Sequence, residues 1–420
     1  MKVDKSVINL INRRNVLDMV RLNGPVSKSE LSQMTSLSLP TVMKIIEEFK
    51  ASGVVLESGK GVSTGGKPPS IVEFNYRSGN ILGVDINEYR IDVILMDLAA
   101  NVICERTQDV DRCTSCQRII DQLKLLVRSI IDEAVVEERS ILGIGIGIYG
   151  IVDAATGTVV SSPMFNWHDI DLLQPIEEAF HFPVIIDNGT RAMALGEKMV
   201  GHAKEAENFL YVNFGYDIDA ALLINGGLYY GASSQAGSLG EAPILLDGQF
   251  RTLNELATAR GIEEQAIRKV CSLSHGKGSL ILDMVFGHSD RINIYTIIEA
   301  ANNGDKIAAK LLEDGAKYAA MAVKSTITMF DPELIILEGK LPRRSEIFLH
   351  SFKQTLQELT ADRRGCPVRV FFSDLGKHVG AIGAASFILS RYIEVGGFLS
   401  ASKGISQQKI LSLIHISSPR

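Results

Sequence analysis

Long apolar runs are missing from this chain: none of about 18 or more residues occurs, which excludes an ordinary membrane-spanning helix. Residues 1–25 also lack a charged start leading into an apolar segment, so no secretory leader is expected and the protein is placed in the cytoplasm, away from any membrane. Cysteine is scarce. Five in 420 residues, an odd number, argue against a disulfide framework and for reduced thiols. Cys113 and Cys116 form a CxxC, but no second Cys or His pair follows at zinc-finger spacing, so neither a metal nor another cofactor is expected. Positive charge is short as well, since the formal net charge of −6 does not suit nucleic-acid binding by the chain as a whole.

That charge is unevenly divided. Residues 1–77 carry 11 Lys and Arg against 7 Asp and Glu, a balance of +4, which leaves −10 for the remainder. A basic reader on an acidic body fits this asymmetry. The hydrophobic fraction of 46% suffices for two or three globular units.

Within the basic segment, Ile8, Ile11, Val16, Leu17 and Val20 recur at helical spacing over 7–23, and Gly24-Pro25 ends the run. Ser27 and Glu30 form a capping box for a short second helix to about Met34, with Lys28 at its start. Ser38 is the next N-cap, with Pro40 in the first turn of a third helix whose Val42, Ile45, Ile46 and Phe49 form one apolar face. Two short helices around a tight turn predict a helix-turn-helix. Its second helix enters the major groove by its N-terminal end, so Ser38, Thr41 and Lys44, with Lys28 beside them, are the candidate DNA contacts. Strands are predicted at 54–57 and 71–74 around a loop bearing Gly65, Gly66 and Lys67. This is a wing whose glycines permit close approach and whose lysine meets phosphate or the minor groove.

From Ile81 onward strands alternate with helices. Strands are predicted at 81–86, 91–97, 141–148, 183–187, 209–214, 220–224, 334–337 and 368–372, and helices at 117–136, 191–200, 306–330, 345–360 and after Gly380. The expected class is α/β, with two similar lobes.

The residues at this point resemble the ROK family (repressors, open reading frames and kinases), of the actin-like, ribonuclease H-like sugar-kinase fold. The similarity runs from about residue 5 to 393. It rests on Asn12-Arg13-Arg14, the helix-turn-helix and Gly65-Gly66-Lys67-Pro68 of the repressor branch, that of the N-acetylglucosamine and xylose repressors. It continues through the glycine-rich 144–153, Trp167, 192–197, 225–232, 331–337 and 380–385. The implied organisation is a winged helix-turn-helix over 1–77, a first lobe over 78–200, and a second over 201–393 whose last helix returns to the first. A tail follows over 394–420. Residues 411–417 are similar to the translation of a sequencing-library adapter, which would make 411–420 foreign to the fold.

Where the resemblance implies a catalytic aspartate after an asparagine, Asn188 is followed by Gly189, which accepts no proton. The first phosphate loop reads Asp85-Ile86-Asn87-Glu88-Tyr89-Arg90 in place of glycines, and the second reads Gly215-Tyr216-Asp217-Ile218-Asp219, with two carboxylates in the phosphate positions. The family's zinc histidine is Glu241, and no cysteine occurs over 246–255. Catalysis and metal are therefore not expected. By the same position-by-position resemblance, Asp187, Asn188, Ser238, Glu241 and Glu255 are the ligand-binding candidates for a sugar or sugar-phosphate effector. The expected protein is a sequence-specific regulator, a repressor of carbohydrate genes, acting as a homodimer or tetramer on an inverted-repeat operator in double-stranded DNA. A ligand-independent DNA-binding scaffold and an active sugar kinase are the alternatives.

Overall fold

The computed structural model describes residues 5–60, 70–110, 114–134, 140–272, 279–361 and 368–397. The chain divides into two compact units, Met1–Ala192 with Gly380–Arg420, and Met193–Val379.

In the first unit, α1 (Lys5–Asn23), β1 (Val26–Ser27), α2 (Lys28–Thr35), α3 (Leu39–Ala51), β2 (Val55–Lys60) and β3 (Ser70–Phe74) build a winged helix with strand order β1-β3-β2. The capping box is present: the Glu30 amide donates to Ser27 Oγ at 3.2 Å, and the Ser27 amide donates to the Glu30 carboxylate at 2.8 Å. Ser36 turns the chain in the left-handed region (φ 55°) between the two helices. Helix α3 buries Val42, Ile45, Ile46 and Phe49, each contributing roughly 1.5–3 kcal/mol of transfer free energy. The wing strands are longer than the sequence predicts, and Val26 pairs with Val72 to add the short third strand. Gly65, Gly66 and Lys67 lie outside the described residues, as do Cys113 and the tail from 398.

The same unit continues as β4 (Asn80–Ile86), β5 (Arg90–Asp97), β6 (Val102–Asp109), α4 (Cys116–Ala134), β7 (Ile141–Ile148), β8 (Ile151–Asp153), β9 (Thr158–Ser162), β10 (Trp167–Asp171), α5 (Leu173–Phe180) and β11 (Val184–Asn188). Its main sheet has order β11-β7-β4-β5-β6, with β4, β7 and β11 parallel and β4, β5 and β6 antiparallel. Strands β8 to β10 form a separate antiparallel sheet. Helix α6 (Gly189–Val200) follows, and the unit boundary falls within it.

The second unit holds β12 (Phe209–Phe214), β13 (Ile218–Ile224), β14 (Gly227–Leu228), the hairpin β15 (Pro243–Leu246) and β16 (Gln249–Thr252), then α7 (Leu253–Ala257), α8 (Ala259–Cys271), α9 (Leu280–Met284), α10 (Ile294–Asn302), α11 (Lys306–Phe330), β17 (Leu334–Gly339), α12 (Lys340–Arg344), α13 (Glu346–Thr360) and β18 (Arg369–Phe372). Its sheet order is β14-β13-β12-β17-β18. Phe214 meets Phe348 and Phe352 edge-on, with centroids 5.6 and 6.2 Å apart, joining β12 to α13 through aromatic packing.

Helix α14 (Val379–Glu394), from Gly380 on, belongs to the first unit and lies against β4 and β7. A Cβ on Gly83 would overlap the Ala381 carbonyl, and one on Gly145 the Ala384 carbonyl. Glycine is needed there so that the helix backbone can rest on the sheet. Among the described residues no helix is long and apolar enough to cross a membrane.

Candidate nucleic-acid interface and sugar-kinase-like site

Opposite its buried face, α3 exposes Pro40, Met43, Lys44 and Glu47. At its start Ser38 Oγ and Thr41 Oγ1 share a 2.8 Å hydrogen bond, and Ser38 makes no side-chain cap to the helix, so both hydroxyls stand at the N-terminal end of α3. Lys44 has no ion-pair partner among the described residues. Lys28 is different: its Nζ lies 2.9 Å from Glu47 Oε1, so this candidate DNA contact is already engaged. Lys50 Nζ donates to Glu57 at 2.7 Å and lies 3.6 Å from Glu47. The Lys28 hydrogen bond holds the Glu47 carboxyl below the usual carboxylate range, and Lys50 does the same for Glu57. On the other flank Arg13 Nη1 donates to Glu48 at 2.7 Å, with its guanidinium 5.5 Å from the Phe49 ring.

At the end of β11, Asp187 is 1% and Arg191 3% exposed. Arg191 Nε donates to Asp187 Oδ1 at 2.8 Å, and its Nη2 donates to the Val152 carbonyl at 3.2 Å. Expected as a ligand contact, the Asp187 carboxylate is instead bound by a buried guanidinium, although its Oδ2 is buried without a hydrogen-bond partner. Asn188 Oδ1 caps α6 by accepting from the Thr190 and Arg191 amides at 2.9 and 3.1 Å, and its Nδ2 donates to the Gly150 carbonyl at 2.9 Å. A Cβ on Gly189 would meet nothing closer than 3.8 Å, so sterics do not require glycine there.

The turn between β4 and β5 is closed on itself. Asn87 Oδ1 accepts from the Tyr89 and Arg90 amides at 3.1 and 3.3 Å, the Asn87 amide donates to the Arg90 carbonyl at 3.1 Å, and Asn87 Nδ2 donates to Asp85 Oδ2 at 2.9 Å. A phosphate cradle needs successive amides aimed at the ligand. Here they are aimed at the turn's own oxygens. Burial is the main cause that pushes the Asp85 carboxyl up to about 6, opposed by the Asn87 hydrogen bond and reinforced by Asp92. Asp92 is itself held by Arg90 Nε at 2.6 Å and Thr107 Oγ1 at 2.7 Å.

In the second unit, the turn between β12 and β13 places Tyr216 under the Arg260 guanidinium, 5.0 Å from its centroid, with Asp217 3.9 Å from Arg260 Nη2. Ser238 Oγ donates to the Gln235 carbonyl at 3.1 Å, and Glu241 Oε1 accepts from Asn254 Nδ2 at 3.1 Å. Glu255 is the third residue of a capping box on α7, accepting from the Thr252 amide at 2.7 Å, with Arg251 3.6 Å away. All three are exposed. Each candidate ligand residue thus has a local partner. Among the described residues no group of three or more His, Cys, Asp or Glu side chains could hold a metal ion. Burial pushes the Cys116 thiol up, away from the thiolate that redox or metal chemistry needs.

Sequence reasoning missed Arg191, the Glu47 network and Arg260. The i,i+4 spacing of Asp187 and Arg191 was a visible signal for the first; the others depend on contacts between elements.

Residues 10–55 match the winged helix-turn-helix DNA-binding family, and residues 81–391 match the ROK family. The xylose repressor of Caldicellulosiruptor bescii is 25% identical over 386 residues, spanning 92% of this chain and 97% of its own. The DNA-binding transcriptional dual regulator NagC of Escherichia coli is 23% identical over 390 residues, spanning 91% and 93%. A ROK family transcriptional regulator, homologous to the E. coli Mlc protein, shares the fold with a TM-score of 0.77 at 22% identity, over 94% of this chain and 98% of its own. With the ROK match running through both units and the winged helix preceding it, the chain belongs to the ROK family.

Proposed function

We propose that this protein is a cytoplasmic DNA-binding repressor of carbohydrate genes, whose sugar-kinase-like body senses a sugar-class effector and transfers no phosphate. One observation carries the reading: a winged helix with an exposed reading edge shares a unit with a kinase-like sheet whose base position is Gly189 and whose phosphate-loop turn bonds to itself. Phosphoryl transfer works by positioning and charge stabilisation. Neither requirement is met by a missing base and inward-turned amides. The names of the relatives, xylose repressor and transcriptional dual regulator, point the same way.

Effector sensing rests on Ser238, Glu241 and Glu255, whose exposed groups can exchange their local hydrogen bonds for sugar hydroxyls. Within the first unit, helix α14 links the kinase-like sheet to the winged helix. Its second residue, Gly380, lies against the Asp85 carboxyl, and the turn after the helix sets Gly396 on Arg13 and Gly397 on Val54 and Leu17. Its 16 residues span about 24 Å, and Arg13 then reaches Glu48 on α3. An effector that prefers one position of α14 shifts the population competent for DNA.

The protein is expected to act as a homodimer or tetramer on an inverted repeat. Selection of genomic fragments by the purified protein, followed by footprinting and titration with pentoses and amino sugars, tests the proposal. An inverted repeat beside carbohydrate genes, released by one sugar with altered hydrogen exchange in α1, is the expected outcome. Binding that no sugar changes would favour the ligand-independent scaffold, the reading that the local partners of the candidate ligand residues support. ATP turnover with a sugar would restore the kinase reading.

A further inference from the structure

The DNA-facing surface of the winged helix contains a closed set of charges. Lys28 at the start of α2, Glu47 and Lys50 on α3, and Glu57 on β2 are joined in series at 2.9, 3.6 and 2.7 Å. Two ammonium groups and two carboxylates sum to zero. Glu47 is the centre of the set: it touches both lysines, and its side chain is 57% exposed on the side of α3 opposite the core. Binding to unrelated DNA is driven almost wholly by cations that neutralise phosphates and release counterions. Lysines already satisfied by carboxylates contribute little to it.

We propose that Glu47 is a specificity-setting residue, which keeps Lys28 off the backbone of unrelated DNA and so widens the gap between operator and non-operator binding. The inference rests on the DNA-binding reading above. Specificity is a difference of affinities, and lowering the affinity for wrong sites serves it as well as raising that for the right one. On unrelated duplex, phosphates meet a neutral cluster and a projecting carboxylate that repels them. Lys44, which has no such partner among the described residues, remains available on α3.

The test uses the full chain and its Glu47→Gln variant, with an operator duplex and an unrelated duplex of equal length, across a salt series. Glutamine preserves the shape and removes the charge. For the unrelated duplex the variant should bind more tightly, by roughly eightfold near 0.1 M salt with a salt slope steeper by about 0.9, the effect of the one released lysine, because Lys50 stays paired with Glu57. The operator-to-unrelated ratio should fall. Lys28→Met should change the slope little in the parent chain and cancel part of the gain in the Glu47→Gln background, a non-additivity that marks the contact.

An unchanged slope on unrelated DNA would overturn the inference alone. So would a loss of operator affinity without any gain on the unrelated duplex, since that is the behaviour of a carboxylate reading a base. Salt-dependent binding by neither protein to either duplex would overturn the DNA-binding reading, and this inference with it.

Discussion

Asp85→Asn should stabilise the first unit at neutral pH and give no benefit in mild acid. Asp85 is 7% exposed, and burial drives its carboxyl from 3.8 to about 6. A rise of about two pKa units is worth roughly 3 kcal/mol against the charged form. The native pKa lies above the unfolded one, so between these values the folded chain binds more protons. The contribution is therefore most favourable below about pH 4 and is lost as pH climbs through about 6. Asparagine keeps an acceptor for Asn87 Nδ2, but it places an amide donor where Asp85 Oδ1 has no partner, at a cost of about 1–3 kcal/mol. The net gain near neutral pH is about 1 kcal/mol. That figure depends on the amide, whereas its change with pH does not: between about pH 7.5 and 5 the advantage should shrink by roughly 1.4 kcal/mol. Trp167 reports on the right unit, being the single tryptophan, buried and stacked on Phe165 at 4.9 Å. Urea unfolding followed by its fluorescence at the two pH values decides the matter. Parallel curves, with the same difference between variant and parent at both, would refute the assignment of a costly charge to Asp85.

Arg191→Met should destabilise the first unit by about 3–5 kcal/mol in the same assay, because it strands the buried Asp187 carboxylate. Lys44→Ala should weaken operator and unrelated DNA alike and reduce the salt slope by about 0.9, measured by binding across a salt series. Gly189→Asp should fold, since the new Cβ meets nothing closer than an ordinary 3.8 Å contact. It should nevertheless consume ATP with a sugar no faster than background, because the β4–β5 turn amides stay inward; turnover in a coupled assay would show that one carboxylate was all the site lacked.

Local chemistry made much of the first unit legible. Ser27 and Glu30 announce α2, the spacing of Val42 to Phe49 fixes the face of α3, and the apolar runs at 81–86 and 141–148 lie where β4 and β7 do. Strand β6 escaped because its exposed, polar sequence 102–109 is a strand only by pairing with β5. Helix α7 carries a second signal: Thr252 and Glu255 form a capping box, so a residue expected to meet ligand also caps the helix. The fate of Lys28 depends on Glu47, 19 residues away, whereas the Asp187–Arg191 pair shows in the sequence only as an i,i+4 spacing. Sequence spacing shows which groups are available; it does not show which contacts have already claimed them.

Those prior claims also bear on how the first unit can switch. Helix α14 is held by Gly83 and Gly145, whose missing Cβ atoms let the Ala381 and Ala384 carbonyls settle on the sheet. A carboxyl whose pKa is raised by burial lies at each end: Asp85 against Gly380, and Glu394, whose rise Arg14 and Arg391 oppose. Sliding the helix by one residue, about 1.5 Å, would lift the Ala381 and Ala384 carbonyls off the glycine seats and part Gly380 from the Asp85 carboxyl. Close-packed contacts of this kind do not deform smoothly. On the proposed reading an effector therefore selects between discrete seatings of α14, and the Arg13–Glu48 pair conveys the choice to the recognition helix.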